Sequence, residues 1–258
     1  MHMQNYVNSL RDEGLKRGTI EKIIKVIRNS LENAIDLELI SKTVAVKTKL
    51  PKGDKEDLIV WNEQEVQLFL KVAQDSRYSI VFHIVLVTGM RQGELLGLRW
   101  KDADIENGHL TISQTLSHDG ETFLLGGKIK SSIRKIILPV STVAKLKKHR
   151  AVLLKGTLSH GEKYQDNDLV MCTPSETPIH PANVRRSLNA LIKKAAIPKI
   201  HFHDLHHTHA TLLLAKGVNV KAISERLGYS NIKITLDTYS HVLPTMQEDA
   251  ANKIEEIL

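Results

Sequence analysis

Four short segments of this sequence hold residue types able to handle a phosphate ester. In Thr88-Gly89-Met90-Arg91-Gln92-Gly93-Glu94 an arginine follows a glycine turn and stands three positions before a carboxylate. A guanidinium braced in this way presents its planar fork to phosphate oxygens, whereas the same pair on an open helix face is an ordinary surface ion pair. The second segment, Gly126-Gly127-Lys128-Ile129-Lys130-Ser131-Ser132-Ile133-Arg134-Lys135, is a basic hairpin turn that would set an ammonium group in a DNA groove. Alone it is a solvated turn.

The third segment, His201-Phe202-His203-Asp204-Leu205-His206-His207-Thr208-His209-Ala210-Thr211, crowds imidazoles at the start of one helix. Asp204 is the expected N-cap and Gly217 the expected stop. The free N–H groups there favour an anion, which His203 and His206 are placed to reach. A zinc reading competes, because His203 and His207 have the i, i+4 spacing of a ligand pair, although no glutamate completes an HExxH pattern. His207 and His209 also fit as plain buried, hydrogen-bonded histidines. In the fourth segment, Leu227-Gly228-Tyr229-Ser230 through Tyr239, Gly228 ends one helix, Ser230 caps the next and Tyr239 rides on it. A lone helical tyrosine is usually a packing residue, so only the combination points to a nucleophile.

The elements that must position these segments follow from periodicity. Ile20, Ile23, Ile24, Ile27, Leu31, Ala34 and Ile35 recur at helical spacing, which predicts an amphipathic helix from Thr19 to about Ile40. The lysine-rich stretch from Lys47 to Asp57 lacks an apolar stripe and reads as a linker, giving a small unit over residues 1–50, a linker over 51–58 and a large domain over 59–258. Asn62 with Glu65 forms a capping pair for a helix through Val66, Phe69 and Leu70. Strand-forming residues such as Ile112, Thr115, Phe123, Ile136 and Ile137, punctuated by Gly120, Gly126 and Gly127, predict one small antiparallel sheet. Helices return over Val143–Leu154, Ala182–Ala196, Asp204–Lys216 and Asn219–Leu227, followed by two more. The fold class expected is mainly α with a small antiparallel β-sheet, an α+β arrangement.

Composition bounds the partners. A chain of 258 residues can bury a substantial core, and its formal charge of +7 suits a polyanion, which nucleic acid or an anionic membrane would satisfy. The single cysteine excludes an intrachain disulfide. With no apparent signal segment and no apolar run long enough for a bilayer, a cytoplasmic location and no membrane partner are expected. Met1-His2-Met3 reads as an appended remnant on an excised fragment.

In order, spacing and local wording these segments resemble the tyrosine recombinase, or phage integrase, family along nearly the whole chain. The family's TGxRxGE segment falls on Arg91 and Glu94, and its hairpin lysine on Lys128 in preference to Lys130 when Ile136-Ile137-Leu138-Pro139 is taken as the closing strand. Its HxLRHTHAT segment falls on His203 through Thr211, and its LGH segment with a tyrosine some ten residues on falls on Leu227-Gly228-Tyr229 and Tyr239. The helix from Thr19 resembles the end of the family's core-binding domain, whose earlier helices, like any arm-binding domain, are expected to be absent.

The resemblance implies a recombinase that cuts and rejoins double-stranded DNA through a 3′-phosphotyrosyl link, without metal or other cofactor. Arg91, His206 and Tyr229 would hold the phosphate, Tyr239 would attack, His203 would take its proton and Lys128 would protonate the leaving 5′-oxygen, with Glu94, Asp204 and His207 in support. Lys130, Arg134, Arg99 and Arg185 are further candidates for DNA contacts. An amphipathic tail through Met246, Ala250, Ile254 and Ile257 would dock on a neighbouring protomer, or pack in cis, and self-association on DNA would give a tetrameric synapse. Two positions depart from the family: His206 stands where it has arginine, and Tyr229 where it has histidine or tryptophan. Exchanging an always-charged fork for an imidazole removes donors worth about 10²–10³ in rate each. A DNA-binding accessory protein impaired in cleavage is therefore one alternative, and a histidine-cluster metalloprotein another. If His206 acts as an imidazolium, activity is expected to rise as pH falls.

Overall fold

The computed structural model describes residues 2–43, 45, 48–51, 58–126, 133–160, 167–175, 177–229, 231–239 and 254–255. Contacts divide the chain into two compact units, Met1–Asp57 and Leu58–Leu258. In the first, α1 (His2–Asp12) packs against α2 (Arg17–Asp36) through buried Val7, Leu10, Ile20 and Ile24. Arg28 on α2 donates to the carbonyls of Ala45 and Thr48 and so ties down the segment that follows. The sequence pattern anticipated α2 but not α1.

The second unit opens with α3 (Glu63–Ala73), capped as expected: Asn62 Oδ1 accepts from the Glu65 amide at 2.9 Å while Glu65 accepts from the Asn62 amide at 2.8 Å. α4 (Ser79–Thr88) is apolar almost all round and runs through the core, with Val81, Phe82, Ile84 and Val85 each 0–1 % exposed. It is followed by the short α5 (Gln92–Leu96).

The strands form two sheets where one was expected. β1 (Ala103–Asp104), β2 (His109–Ile112) and β5 (Arg134–Ile137) make an antiparallel sheet in the order β1-β2-β5, with Leu110 opposite Ile136 and Ile112 opposite Arg134. Among the described residues β3 (Gln114–Leu116) pairs only with β4 (Phe123–Leu125). The break falls at Ser113, whose hydroxyl donates to Asp102 and accepts from Arg99, both at 2.8 Å. Beyond it Gln114 donates to the Gly97 carbonyl, pulling β3 onto α5.

α6 (Val140–His160), α7 (Pro181–Ala195), α8 (Phe202–Ala215), α9 (Val220–Leu227) and α10 (Ile232–Tyr239) complete the described fold. α8 lies against α4, and α9 and α10 close a smaller cluster of Ala210, Leu214, Ile223, Leu227 and Tyr239. Gly217 does follow α8 in the left-handed region, at φ +74°. Asp204 is not the N-cap: His201 occupies that position, and Asp204 in the first turn accepts from the His201 amide at 2.6 Å. Ser230 and most of the amphipathic tail, including Met246, Ala250 and Ile257, lie outside the described residues. Among the described residues no helix is long and apolar enough to cross a membrane.

Candidate active site

The end of α4 sets the first arginine. Gly89 adopts φ +67°, and a Cβ there would stand 2.6 Å from the His209 ring and 2.7 Å from Leu227, so no side chain fits. The turn delivers Arg91 to the N-cap of α5, where Glu94 takes the Arg91 amide at 2.9 Å and its guanidinium at 3.0 Å. Arg134, from β5, grips the same carboxylate with both arms of its fork, at 3.0 and 2.7 Å, and donates from Nε to the Arg226 carbonyl at 2.8 Å. Burial alone would raise the Glu94 pKa, but hydrogen bonds and charge from Arg134 and then Arg91 hold it below the usual carboxylate value.

Burial favours the neutral form of His206 and His207. His206 is 1 % exposed, and its Nδ1 meets the Gly89 carbonyl. A carbonyl only accepts, so Nδ1 carries the ring proton and Nε2 is left to accept from the Tyr229 hydroxyl at 2.8 Å. Desolvation takes the His206 pKa down to about 3, with only the Gly89 hydrogen bond opposing it. The condition under which activity would rise at lower pH, a charged His206, is not what these contacts favour: in this tautomer His206 has no proton to offer a phosphate, and Tyr229 spends its own on His206. Arg91 stacks its guanidinium over the Tyr229 ring at 5.7 Å.

The Tyr239 hydroxyl lies 2.7 Å from His207 Nδ1. The base expected there was His203. Instead the exposed His203 ring stacks on His206 with centroids 5.2 Å apart and meets His207 edge to face at 4.7 Å. Burial, and then the repulsion a second charge on neighbouring His203 would bring, lower His207 to about 4. Tyr239 itself is 0 % exposed, and desolvation followed by the adjacent Tyr229 hydroxyl raises its pKa. His209 is an ordinary buried histidine, donating to the Leu86 carbonyl and accepting from Arg226. Among the described residues no group of three or more His, Cys, Asp or Glu side chains could hold a metal, and the Nδ1 of His207 is taken by Tyr239.

Of the four residues proposed to contact DNA, Lys130 lies outside the described residues, as does Lys128. Arg99 is committed internally, to Asp102 at 2.7 Å and to Ser113. Arg134 is likewise buried on Glu94, its side chain 8 % exposed. Arg185 remains exposed on α7, reaching only Gln92 beside the start of α5. Sequence reasoning missed Arg226, which bridges α4, β5 and α8 through Val87, Ile137 and His209. Its neighbours in sequence carry no signal of that role.

Comparison with known proteins gives the family. Residues 60–246 match the Phage integrase family. The chain is 28 % identical to a XerC-like tyrosine recombinase of Caldanaerobacter subterraneus subsp. tengcongensis, covering 100 % of this chain and 71 % of that protein. It is 25 % identical to the ICEBs1 integrase of Bacillus subtilis, over 96 % of this chain and 68 % of the relative. In fold it is similar to the Tn1549 transposon integrase in complex with a circular intermediate DNA, with TM-score 0.79, 21 % identity and coverage of 99 % and 84 % of the two chains. A λ integrase dimer bound to a core site gives TM-score 0.67 at 18 % identity, over 91 % and 77 %. With more than half of its length matched to that family, the chain belongs to the phage integrase family of tyrosine recombinases.

Proposed function

We propose that this chain cleaves and rejoins double-stranded DNA at a specific site, with Tyr239 as the nucleophile and His207 as the group that takes its proton. The supporting observation is the 2.7 Å contact between the Tyr239 hydroxyl and His207 Nδ1, close to the arginine that Glu94 braces. The Tyr239 oxygen forms a bond to phosphorus while the bond to the 5′-oxygen breaks. The tyrosine proton passes to His207, and Lys128 is the proposed donor to the departing oxygen. A 5′-hydroxyl attacking the phosphotyrosine then reverses the exchange with no net loss of ester bonds. Arg91 holds the scissile phosphate, and the exposed His203 stands at its rim as a contact rather than as the base.

Because Tyr239 is fully buried without DNA, attack requires α10 to shift as the phosphate arrives. The unit Met1–Asp57 is the proposed end of a core-binding domain, and assembly on DNA is the proposed route to a tetrameric synapse. The test is incubation with supercoiled plasmid at low salt, followed by detergent trapping of protein–DNA adducts. Adducts and relaxation that vanish in Tyr239→Phe support the reading. DNA binding with no adduct in either this chain or His206→Arg would instead make it an accessory DNA-binding protein.

A further inference from the structure

The charges lining the cleft beside Arg91 and Tyr229 do not favour an anion until Arg134 is counted. Arg91, Glu94, Arg134 and Tyr229 share one open cleft. Arg91 and Glu94 form an ion pair that cancels, and His206 behind them is neutral with its only ring proton turned to the Gly89 carbonyl. Among the described residues lining the cleft, Arg134 is the remaining charge and leaves a net positive pocket.

Its placement is also built. Arg134 is held from three sides: by both oxygens of Glu94, by the Arg226 carbonyl, and by Gly228, where an added Cβ would fall 2.7 Å from Nη1. Gly228 has φ +72° and immediately precedes Tyr229, so the guanidinium is wedged between the segment carrying Arg91 and the segment carrying Tyr229. With Arg134 sharing the carboxylate, Glu94 draws less on Arg91, whose remaining donors stay available to a phosphate.

We infer that Arg134 is a positioning residue of the cleavage reaction, supplying through Glu94 the second guanidinium charge that His206 does not provide. This rests on the proposed reaction at Tyr239. A buried latch with no part in the chemistry would serve stability alone, so the two roles separate by experiment.

Arg134→Gln and Arg134→Lys are each made in the parent chain and in His206→Arg. Initial rates of adduct formation on supercoiled plasmid are read at saturating protein, with gel-shift binding and thermal melting alongside. Arg134→Gln is expected to slow adduct formation by about 10²–10³, the scale of losing one charged donor set, and Arg134→Lys, which keeps the charge but not the fork, by about tenfold. In His206→Arg the Gln substitution is expected to cost about tenfold or less, because a second guanidinium is already present. An equal loss in both backgrounds, or none, overturns the inference. A second arm needs no DNA: orthovanadate binding to the free protein should weaken about tenfold or more in Arg134→Gln and recover in the double variant. Unchanged vanadate affinity overturns the inference even if no variant forms adducts, the outcome that would count against the Tyr239 reaction itself.

Discussion

Glu94 and His206 are both buried beside Arg91, yet they are stabilised in opposite ways. Glu94 keeps its charge because two guanidinium groups and an amide surround it. His206 gives up its charge because burial desolvates it and no carboxylate is bonded to it, its hydrogen bonds running to a carbonyl and a phenol. The ionic half of the site is over-determined, with every donor aimed before substrate arrives. The neutral half, running through His206, Tyr229, His207 and Tyr239, stores protons and one nucleophile in a cluster whose His206 and Tyr239 are buried and whose Tyr229 and His207 are half-buried. A charged group loses its environment when one partner is removed, whereas a neutral one only loses a hydrogen bond. Substitutions in the ionic half should therefore damage fold and reaction together, and those in the neutral half should damage the reaction alone.

The largest effect expected is from Tyr239→Phe, which removes the nucleophile and should lower adduct formation by about 10⁶, below detection, while leaving DNA binding in a gel shift unchanged. His207→Ala comes next, with a loss of about 10²–10⁴ in adduct rate and little change in melting temperature. A loss no greater than that of His203→Ala would move the proton transfer away from His207. Because His207 has a pKa of about 4 and His206 about 3, the rate should stay level from pH 8 to 6 and fall as pH drops toward His207's value. A rate that climbs below pH 6.5 would reinstate a charged His206. Glu94→Gln should break the contrast from the other side, leaving Arg134 buried without its counter-charge at a cost of about 3–5 kcal/mol. Calorimetry would show this as a melting temperature lower by about 10 °C, alongside slower cleavage.

A separate effect is one of pH on stability. His83, His207 and His209 fall to about 4 chiefly through desolvation, and His206 to about 3. Each prefers to be neutral in the fold, so the unfolded chain binds more protons below the ordinary histidine value. Stability is therefore complete above pH 6.5 and is lost as pH falls toward 4, with His209, 5 % exposed, contributing on the order of 3 kcal/mol. A melting temperature constant over that interval would mean these imidazoles are already solvated.

What the sequence disclosed of the site was its local grammar. Gly89, Arg91 and Glu94 lie within six positions, and Gly228 announces the helix end before Tyr239, so their geometry is fixed by short-range turns. Arg134 and Glu94 are 40 positions apart, and a basic residue on a predicted hairpin reads as solvent-facing until the carboxylate opposite is known. The two imidazoles at 206 and 207 are adjacent in sequence but point to different partners, and only tertiary packing decides which one meets Tyr239. The capping box displaced by three residues at His201 has the same cause: Asp204 suits either end of such a box, and the backbone chooses. In the fold, α4 escaped because it is apolar almost all round, where helical periodicity falls silent, and the sheet divided at Ser113 because a half-buried hydroxyl network outranked strand propensity.

Gly93, in the first turn of the helix that bears Glu94, and Gly97, at its C-cap, act as a gauge block. A Cβ on Gly93 would sit 2.5 Å from the Leu116 carbonyl oxygen, and one on Gly97 2.9 Å from the Leu116 amide, so backbone rests directly on backbone. The height of the arginine clamp above its scaffold is thus machined by two missing methyl groups and not by any side chain that could relax. Drift elsewhere in the protein can be absorbed by repacking, but a single added carbon at this bearing surface would lift the clamp out of true, making these glycines the least negotiable letters in a motif usually remembered for its charges.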